Sequence, residues 1–178
     1  KGLAADIRGK HIVVRNIVFD SQYSACSAVH AQGEHLTFGN CEILRAGSID
    51  GERGGDGLQL FDSSNCLVEY CLVHHCLATN KTGKRVDSHG IRMTNSREIT
   101  IRHCNIDLVS GDCIQVDPNR EAWDNILIED CSLTGGKVPP HDPLAHPRYS
   151  VGACPAENAI DTKCPKKGRP KLTVRHCL

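Results

Sequence analysis

The feature that most constrains the fold is a phrase that returns after 23 residues within residues 88–117. Residues 89–93 (HGIRM) recur as residues 112–116 (DCIQV), and residues 99–106 (ITIRHCNI) lie between them. In each run an apolar residue occupies every second position, which is the period of a half-buried strand. A fixed return of this length, with strands and no helical pattern, predicts one coil of a β-solenoid.

Both phrases recur along nearly the whole chain. The first phrase returns at residues 28–30, 55–61 and 157–163, and the second at residues 11–19, 35–43, 65–73, 125–133 and 171–178. The long stretch of residues 134–156 interrupts the pattern, which then resumes at once. An insertion that leaves the repeat intact is a loop on one scaffold. The sequence therefore predicts one all-β domain over residues 1–178, a parallel solenoid of about five to six coils.

Composition excludes several classes of protein. The chain has 178 residues and no net charge, with 21 basic and 21 acidic side chains, so no electrostatic footprint for nucleic acid is visible. No apolar run reaches the length of a membrane span.

The chain opens without Met and ends within an apparent strand, so we expect a piece of a longer solenoid and draw nothing from the missing signal peptide. The oligomeric state is left open.

The eleven cysteines divide into two sets. Five occupy the same position of the second phrase: Cys41, Cys71, Cys104, Cys131 and Cys177. Stacked coils would turn them into a column of buried thiols, whereas a soft-metal site needs ligands that converge on a point. Cys154 and Cys164 lie outside this column and are candidates for a disulfide, with Cys66 and Cys76 weaker ones.

Aligning the first phrase places polar residues in three outward columns. The strip, as we name it, consists of Gln59, Arg92, Gln115 and Asp161. Two residues later come Phe61, Thr94, Asp117 and Lys163, and just before the strand come Asp56, His89, Asp112 and Asn158. The loops at residues 45–55, 74–87 and 134–156 would form a wall beside the strip. A walled groove along a solenoid suits an extended polymer.

The second phrase carries its own outward column, Arg15, Glu69, Arg102, Glu129 and Arg175. These charges alternate in sign and predict a solvated face with cross-strand ion pairs rather than a catalytic site. Three further side chains are expected to be structural. The pair His74-His75 begins a loop without metal-ligand spacing, and Tyr70 is expected to pack.

Several motifs resemble a known superfamily. Residues 111–114 (GDCI) resemble the Gly-Asp-Asp-Cys-Ile phrase of polygalacturonases, and residues 88–90 (SHG) resemble their Gly-His-Gly. Residues 157–163 (ENAIDTK) resemble a phrase of lyase-like members. The chain is thus similar to right-handed parallel β-helix proteins of the pectate lyase-like superfamily, which includes polysaccharide lyases and glycoside hydrolases. The resemblance implies a right-handed, single-stranded parallel β-helix, secreted or periplasmic.

The resemblance implies that the chain cleaves an acidic, uronic acid-containing polysaccharide by β-elimination. This reaction needs a cation to neutralise the carboxylate and a base to remove the neighbouring proton. Lys163 is the preferred base, because its pKa can be lowered whereas Arg stays protonated. Arg92 would bind the substrate carboxylate, and His89 is a further candidate base.

The remaining predicted site residues bind substrate or metal. Gln59, Gln115, Phe61 and Asp161 are the predicted substrate contacts. The superfamily often uses Ca²⁺, for which the predicted oxygen ligands are Asp112, Asp117, Glu157 and Asp161. Two alternatives stay open. One is a glycoside hydrolase using two carboxyl groups such as those of Asp112 and Asp117; the other is a non-catalytic carbohydrate-binding adhesin or tail-fibre solenoid. Asp and Asn at such turns also form turns without any ligand, and Lys163 beside Asp161 could be a plain surface ion pair.

Overall fold

The protein is an all-β molecule built mostly from parallel strands. The computed structural model describes residues 3–120 and 122–178, and no helix occurs in that part of the chain. The strands are, in chain order, β1 (Ala5–Lys10), β2 (Val13–Arg15), β3 (Val18–Asp20), β4 (Ser24–Cys26), β5 (Val29–Glu34), β6 (Thr37–Gly39), β7 (Glu42–Leu44), β8 (Gly47–Ser48), β9 (Leu58–Phe61), β10 (Ser64–Glu69), β11 (Leu72–Cys76), β12 (Ala78–Thr79), β13 (Arg85–Val86), β14 (Ile91–Thr94), β15 (Arg97–Arg102), β16 (Asn105–Val109), β17 (Ile114–Asp117), β18 (Asp124–Glu129), β19 (Ser132–Leu133), β20 (Ile160–Thr162) and β21 (Leu172–Arg175).

The parallel strands pair in three ladders. The first ladder runs β1-β5-β9-β14-β17-β20, the second runs β2-β6-β10-β15-β18-β21, and the third runs β3-β7-β11-β16-β19. Consecutive strands of the chain therefore visit the first, second and third ladder and then return to the first. A pairing between β5 and β10 joins the first two ladders into one 12-stranded sheet.

The predicted register is confirmed. Ile91 pairs with Leu58 on one side and with Ile114 on the other, and Ile114 pairs in turn with Ile160. In the second ladder Ile101 pairs with Val68 and Ile128 in the same way. Because side chains on neighbouring parallel strands stack in register, each inward position becomes a row of apolar side chains.

The core lies between the inward faces of the three ladders. Alternation within a strand separates core from surface: in β15, Ile99 and Ile101 are fully buried whereas Thr100 and Arg102 are half-buried. The predicted thiol column is part of this core, since four of its five cysteines are buried. Cys154 and Cys164 are free thiols, as are Cys66 and Cys76, so neither suggested disulfide is present.

The second ladder carries the predicted row of ion pairs. Glu69 accepts hydrogen bonds from Arg102 at 2.8 Å and from Arg15 at 2.9 Å, and Glu129 pairs with Arg175. Arg15 reaches Glu69 across the strand between them, where the register position is Gly39. A Cβ at that position would lie 2.6 Å from Arg15 Nη1, so the glycine leaves the space through which the guanidinium passes.

Two predicted loops contain strands that the sequence did not indicate. Within residues 45–55, β8 pairs antiparallel with β4, and within residues 74–87, β12 pairs antiparallel with β13. His74 and His75 lie inside β11 rather than at the start of a loop. These four strands are only two or three residues long, which explains why no alternation marks them.

Tyr70 does not pack into the core, contrary to the prediction. Its side chain is 56% exposed and its ring stacks on His103 with centroids 4.8 Å apart. No helix in the described residues is long and apolar enough to cross a membrane.

Candidate functional site

The first ladder brings the strip together. Gln59, Arg92, Gln115 and Asp161 occupy consecutive strands and pair in that order. One position of the strip differs from the prediction, because Gln115 is only 4% exposed. Its side-chain amide donates a hydrogen bond to Asp117 Oδ1 at 2.6 Å and therefore turns along the strand instead of into solvent.

Arg92 is the centre of the site. Its Nε and Nη2 both lie 2.8 Å from Asp117 Oδ2, and its Nη1 lies 3.8 Å from Asp56 Oδ2. The Arg92 side chain is 38% exposed, whereas the Asp56 and Asp117 side chains are 8% and 13% exposed. Arg92 in β14 thus joins two nearly buried carboxyl groups. Asp56 lies in the turn before β9, and Asp117 lies at the end of β17.

The turns before β9, β14, β17 and β20 carry a column of polar side chains. Its first three members each accept a hydrogen bond from the next turn. Asp56 Oδ1 accepts from the backbone N–H of His89 at 3.1 Å. His89 Nδ1 accepts from the backbone N–H of Asp112 at 2.9 Å, and Asp112 Oδ1 accepts from Asn158 Nδ2 at 2.7 Å. The column therefore holds the turns in register as well as placing titratable groups beside Arg92.

The two carboxyl groups of this column are both shifted in the same direction. Burial raises the pKa of Asp56, although His89 and Arg92 oppose that shift. Burial likewise raises the pKa of Asp112, against the hydrogen bond from Asn158. Desolvation penalises the charged carboxylate, so both groups hold a proton more readily than a carboxyl group in water.

The hydrogen bonds of His89 limit its chemistry. Its Nδ1 also lies 3.3 Å from Asp112 Oδ2, a contact to which it could donate only if it carried a proton. The backbone N–H of Asp112 has a fixed direction and points at the same nitrogen, so we assign Nδ1 as an acceptor. A neutral ring with Nδ1 as acceptor carries its proton on Nε2 and is a donor there, not a base.

Lys163, the predicted base, is paired with its neighbour on β20. Its ammonium group contacts the carboxylate of Asp161, and this hydrogen bond raises the pKa of Lys163. Asp112 and Asp117 also lie close enough to favour its charged form. The Lys163 backbone carbonyl accepts a hydrogen bond from Trp123 Nε1 at 2.9 Å, which ties this end of the site to the core.

The remaining predicted substrate contact, Phe61, follows Gln59 at the end of β9. Its ring is half-buried and lies 6.2 Å from the ring of His30 at an angle of 32°. His30 pairs with Gln59 across the ladder and thus extends the strip by one strand. His30 was not among the predicted site residues, because residues 28–30 match the first phrase only weakly.

The four predicted calcium ligands do not form a metal site as they stand. Asp117 is held by Arg92, Asp161 by Lys163, and Glu157 lies 3.3 Å from Arg85. Asp112 accepts from Asn158. Among residues 3–120 and 122–178, no group of three or more His, Cys, Asp or Glu side chains is placed to hold a metal ion. The four residues therefore do not fit Ca²⁺ in this arrangement.

An open groove lies beside the strip rather than between the predicted loops. It has a volume of about 740 Å³ and follows the corner between the first and second ladders. Its charged lining residues are Lys10, Glu34, Asp62, Arg97 and Arg120. A second groove of about 590 Å³ shares Arg120 and adds Lys166 and Lys167. The polar residues between the two phrases, such as Asp62 and Asn95, lie at this corner, but the repeat pattern predicts no function for them.

Asp56 contacts Arg92 but was not among the predicted site residues. It was placed in the correct column, but its contact with Arg92 depends on side-chain direction, which a repeat pattern does not give. In comparisons with known proteins, no family model, curated protein or solved structure matched the chain significantly. The contacts of Arg92 with Asp56 and Asp117 are therefore the main indication of function.

Proposed function

We propose that the chain is a right-handed parallel β-helix that binds a polysaccharide along the strip and cleaves it. Support for the β-helix comes from the order in which consecutive strands visit the three ladders. In such a fold, equivalent side chains repeat about every 4.8 Å along the axis. A row of polar side chains with this spacing suits an extended polymer, since successive strands meet successive parts of it.

The observation that carries the proposal is the placement of Asp56 and Asp117 on either side of Arg92. Asp56 has a pKa raised by burial, so it is the candidate general acid. Asp117 accepts hydrogen bonds from Arg92 and Gln115, and a carboxylate held by such donors is the candidate base. Glycoside hydrolysis uses such a pair, with one carboxyl group protonated and the other ionised.

The reaction that fits this pair is hydrolysis of a glycosidic bond. Asp56 gives its proton to the glycosidic oxygen while the bond from that oxygen to the sugar breaks. Asp117 takes a proton from the water that attacks the same sugar carbon. Inverting enzymes hold the two carboxyl groups about 6.5–9.5 Å apart to leave room for that water. Arg92 lies 3.8 Å from the carboxyl group of Asp56 and 2.8 Å from that of Asp117, so it holds the two groups on one side of the strip.

Elimination from an acidic polysaccharide is the second candidate. It is favoured by the presence of two cations, Arg92 and Lys163, on the same face of the first ladder. Elimination also needs an unprotonated base, and the surroundings of each candidate oppose that state. The hydrogen bond to Asp161 raises the pKa of Lys163, an Arg side chain stays protonated, and the basic nitrogen of His89 already accepts a hydrogen bond from Asp112. Hydrolysis therefore has the stronger geometric support.

The test is an assay of the purified protein on a panel of neutral and acidic polysaccharides. New reducing ends without ultraviolet absorbance indicate hydrolysis, and an absorbing unsaturated product indicates elimination. We expect Asp56→Asn and Asp117→Asn each to lower the rate of reducing-end formation by about 10²–10⁴-fold. Glu129→Gln, on the second ladder, is the control and should keep the full rate.

Two results would count against hydrolysis. One is an absorbing product that disappears in Lys163→Ala, which would establish elimination. The other is binding of a polysaccharide with no cleavage in any member of the panel, which would leave a non-catalytic binding protein on the same scaffold.

A further inference from the structure

The open groove at the corner between the first and second ladders has no role in the reaction proposed above, and we call it the corner groove. Its volume of about 740 Å³ is within the range of sites for small ligands. Four of its lining residues, Lys10, Glu34, Ser64 and Arg97, pair in that order on consecutive strands. At about 4.8 Å per strand, the groove therefore runs for roughly 14 Å along the ladders.

Small residues leave room for this groove. Gly9 pairs with Gly33 in the first ladder, and a Cβ on Gly33 would collide with the Gly9 carbonyl oxygen, so no larger residue fits there. The equivalent residue on the next coil is Ser63, which is nearly fully buried and whose hydroxyl accepts a hydrogen bond from the Gly33 backbone N–H at 3.3 Å. The hollow is therefore built into the backbone and does not depend on the rotamers of long side chains.

One wall of the corner groove carries a fixed pair of polar side chains. The buried Asn95 donates a hydrogen bond from its amide nitrogen to Asp62 Oδ1 at 2.8 Å, and its amide oxygen accepts from the Asn119 backbone N–H at 2.7 Å. Because a carboxylate has about four acceptor sites, the exposed Asp62 still has capacity to accept hydrogen bonds from a ligand. At one end of the groove, Lys10 pairs with Glu34 at 3.1 Å.

The chemistry of the lining suits a neutral sugar. The lining offers acceptors such as Asp62 and donors such as Arg120, and Gln32 supplies both. Every lining residue that the structure describes is polar or glycine. Three positive and two negative side chains lie side by side, so the groove has little net charge with which to select an ion. A ligand with many hydroxyl groups and no charge matches such a lining.

The corner groove lies directly beside the strip. Asp62 follows Phe61 at the end of β9, and Asn95 follows β14 in the same way. The Asn95 backbone N–H donates to the carbonyl of Asp117 at 3.1 Å. Three residues of about 3.3 Å each lead from Gln59 in the strip to Asp62, so the groove begins about 10 Å from the strip. A polymer held on the strip therefore passes within reach of the groove, and a short side branch bridges that distance.

We propose that the corner groove binds a neutral sugar that branches from the polysaccharide on the strip. The inference rests on the proposed function, because it takes the strip as the site of the main chain. The preferred substrate is then a branched polysaccharide. A debranched chain keeps its contacts with the strip and loses the hydrogen bonds in the groove.

The test compares the binding of branched and debranched polymers by retardation of the native protein in gels that contain a polysaccharide. The probes are arabinoxylan, galactomannan and pectin with neutral side chains, each before and after enzymatic removal of its branches. At least one branched probe should bind about tenfold more tightly than its debranched form, because only the branch makes the added hydrogen bonds. Equal binding of both forms of every probe, or no binding of any probe, would overturn the proposal.

Variants assign the preference to the corner groove. Ser64→Tyr places a ring in the groove and should abolish the preference, whereas Thr173→Tyr, on the same ladder in β21 and outside the groove, should keep it. Gln32→Ala removes one polar contact without added bulk and should weaken the preference about two- to tenfold. If Ser64→Tyr does not fold, Gln32→Ala decides. A preference of native size in the folded variants would contradict the assignment to this groove.

Binding and cleavage are separate readouts, so the two proposals fail separately. Cleavage with no preference for branched probes would refute the branch site and leave hydrolysis intact. A preference for branched probes without any cleavage would support the branch site and count against catalysis. A preference that disappears at high salt would indicate a charged ligand and would overturn the assignment to a neutral sugar.

Discussion

At the scale of single residues, the candidate site depends on how differently two aspartates are surrounded. Asp56 receives one backbone hydrogen bond and lies 3.8 Å from the guanidinium, so burial dominates and its pKa rises. Asp117 receives hydrogen bonds from Arg92 and Gln115 at 2.8 and 2.6 Å. The same residue type is therefore placed in two different surroundings, one dominated by burial and one by hydrogen-bond donors.

Asp56→Asn should make the protein at least as stable as the native chain at neutral pH. The folded pKa of Asp56 is raised above its unfolded value, so the folded state binds more protons between the two values and stability falls as the pH rises through that window. Asn stays neutral, and its side-chain oxygen can still accept from His89. Chemical denaturation at pH 4 and 7 measures this. A variant that loses as much stability as the native protein between these pH values would contradict it.

Arg92→Gln should move the activity profile to higher pH. Arg92 lowers the pKa of Asp56, so its removal raises that pKa further and keeps the acid protonated at higher pH. The rate itself should fall, since Asp117 loses its strongest partner. The pH dependence of kcat/KM for reducing-end formation gives the position of the basic limb. A limb that stays in place would remove Asp56 from the role of acid.

At the scale of elements, alternation within each strand divides the ladders into a core face and a charged face. In the second ladder the charged face is a row in which each Glu lies between Arg side chains. Glu69 is nearly buried and accepts from two guanidiniums, whereas Glu129 accepts from Arg175. The row ties strands together that are distant in the chain.

Glu69→Gln should lower the free energy of unfolding by about 1–3 kcal/mol, because the buried side chain loses its charged hydrogen bonds with two guanidinium groups. The hydrogen bonds from Arg102 and then Arg15 lower the pKa of Glu69 in the folded state. Its contribution is therefore present above the unfolded pKa of Glu and is lost as the pH falls through the lowered folded value. Glu129→Gln is the matched comparison and should cost less. Equal losses from the two variants would mean that the second guanidinium contributes nothing.

The inward face of the same ladder predicts a larger effect. Ile101 is fully buried between Val68 and Ile128, so Ile101→Ala should cost about 2–5 kcal/mol. Thr100 lies next to it on the outward face, and Thr100→Ala should change stability by no more than about 0.5 kcal/mol. Urea denaturation compares the two. Similar costs for both variants would show that the alternation does not separate core from surface here.

At the scale of the whole molecule, burial is uneven along the ladders. The core rows of β9, β10, β14 and β15 are fully covered, whereas the inward-facing Val14 in β2 and Phe19 in β3 are only partly buried. Val174 in β21 is 43% exposed. A strand with one neighbour in its ladder has half of its backbone groups unpaired within that ladder.

Amide exchange should therefore be graded along the ladders. We expect the strongest protection in β10, β14 and β15, and weaker protection in β2, β3 and β21, because local opening needs less free energy where less apolar surface is covered. Native-state hydrogen exchange with peptide resolution measures this. Uniform protection of all strands would indicate that the ladders open only as one cooperative unit.

Much of this architecture follows from the sequence because the side-chain period and the repeat interval are both fixed. Those two regularities predicted the pairing of Ile91 with Ile114, the thiol column and the ion pairs of Glu69. They did not predict β8 or β13, since two-residue strands show no alternation.

The candidate site was less accessible to the same reasoning. The columns identified which residues would be neighbours, but Arg92 reaches back to Asp56 and forward to Asp117 through choices of rotamer. The direction of the Gln115 side chain along β17 is likewise a choice of rotamer. The hydrogen bonds that link Glu42, His74, His75 and Asp142 depend on contacts between separate elements.

Cleavage in water enriched in ¹⁸O tests the proposed chemistry most directly. Hydrolysis promoted by Asp56 and Asp117 predicts one ¹⁸O atom at each new reducing end and no unsaturated sugar in the product. A product that absorbs in the ultraviolet and contains no ¹⁸O from the solvent would contradict the account.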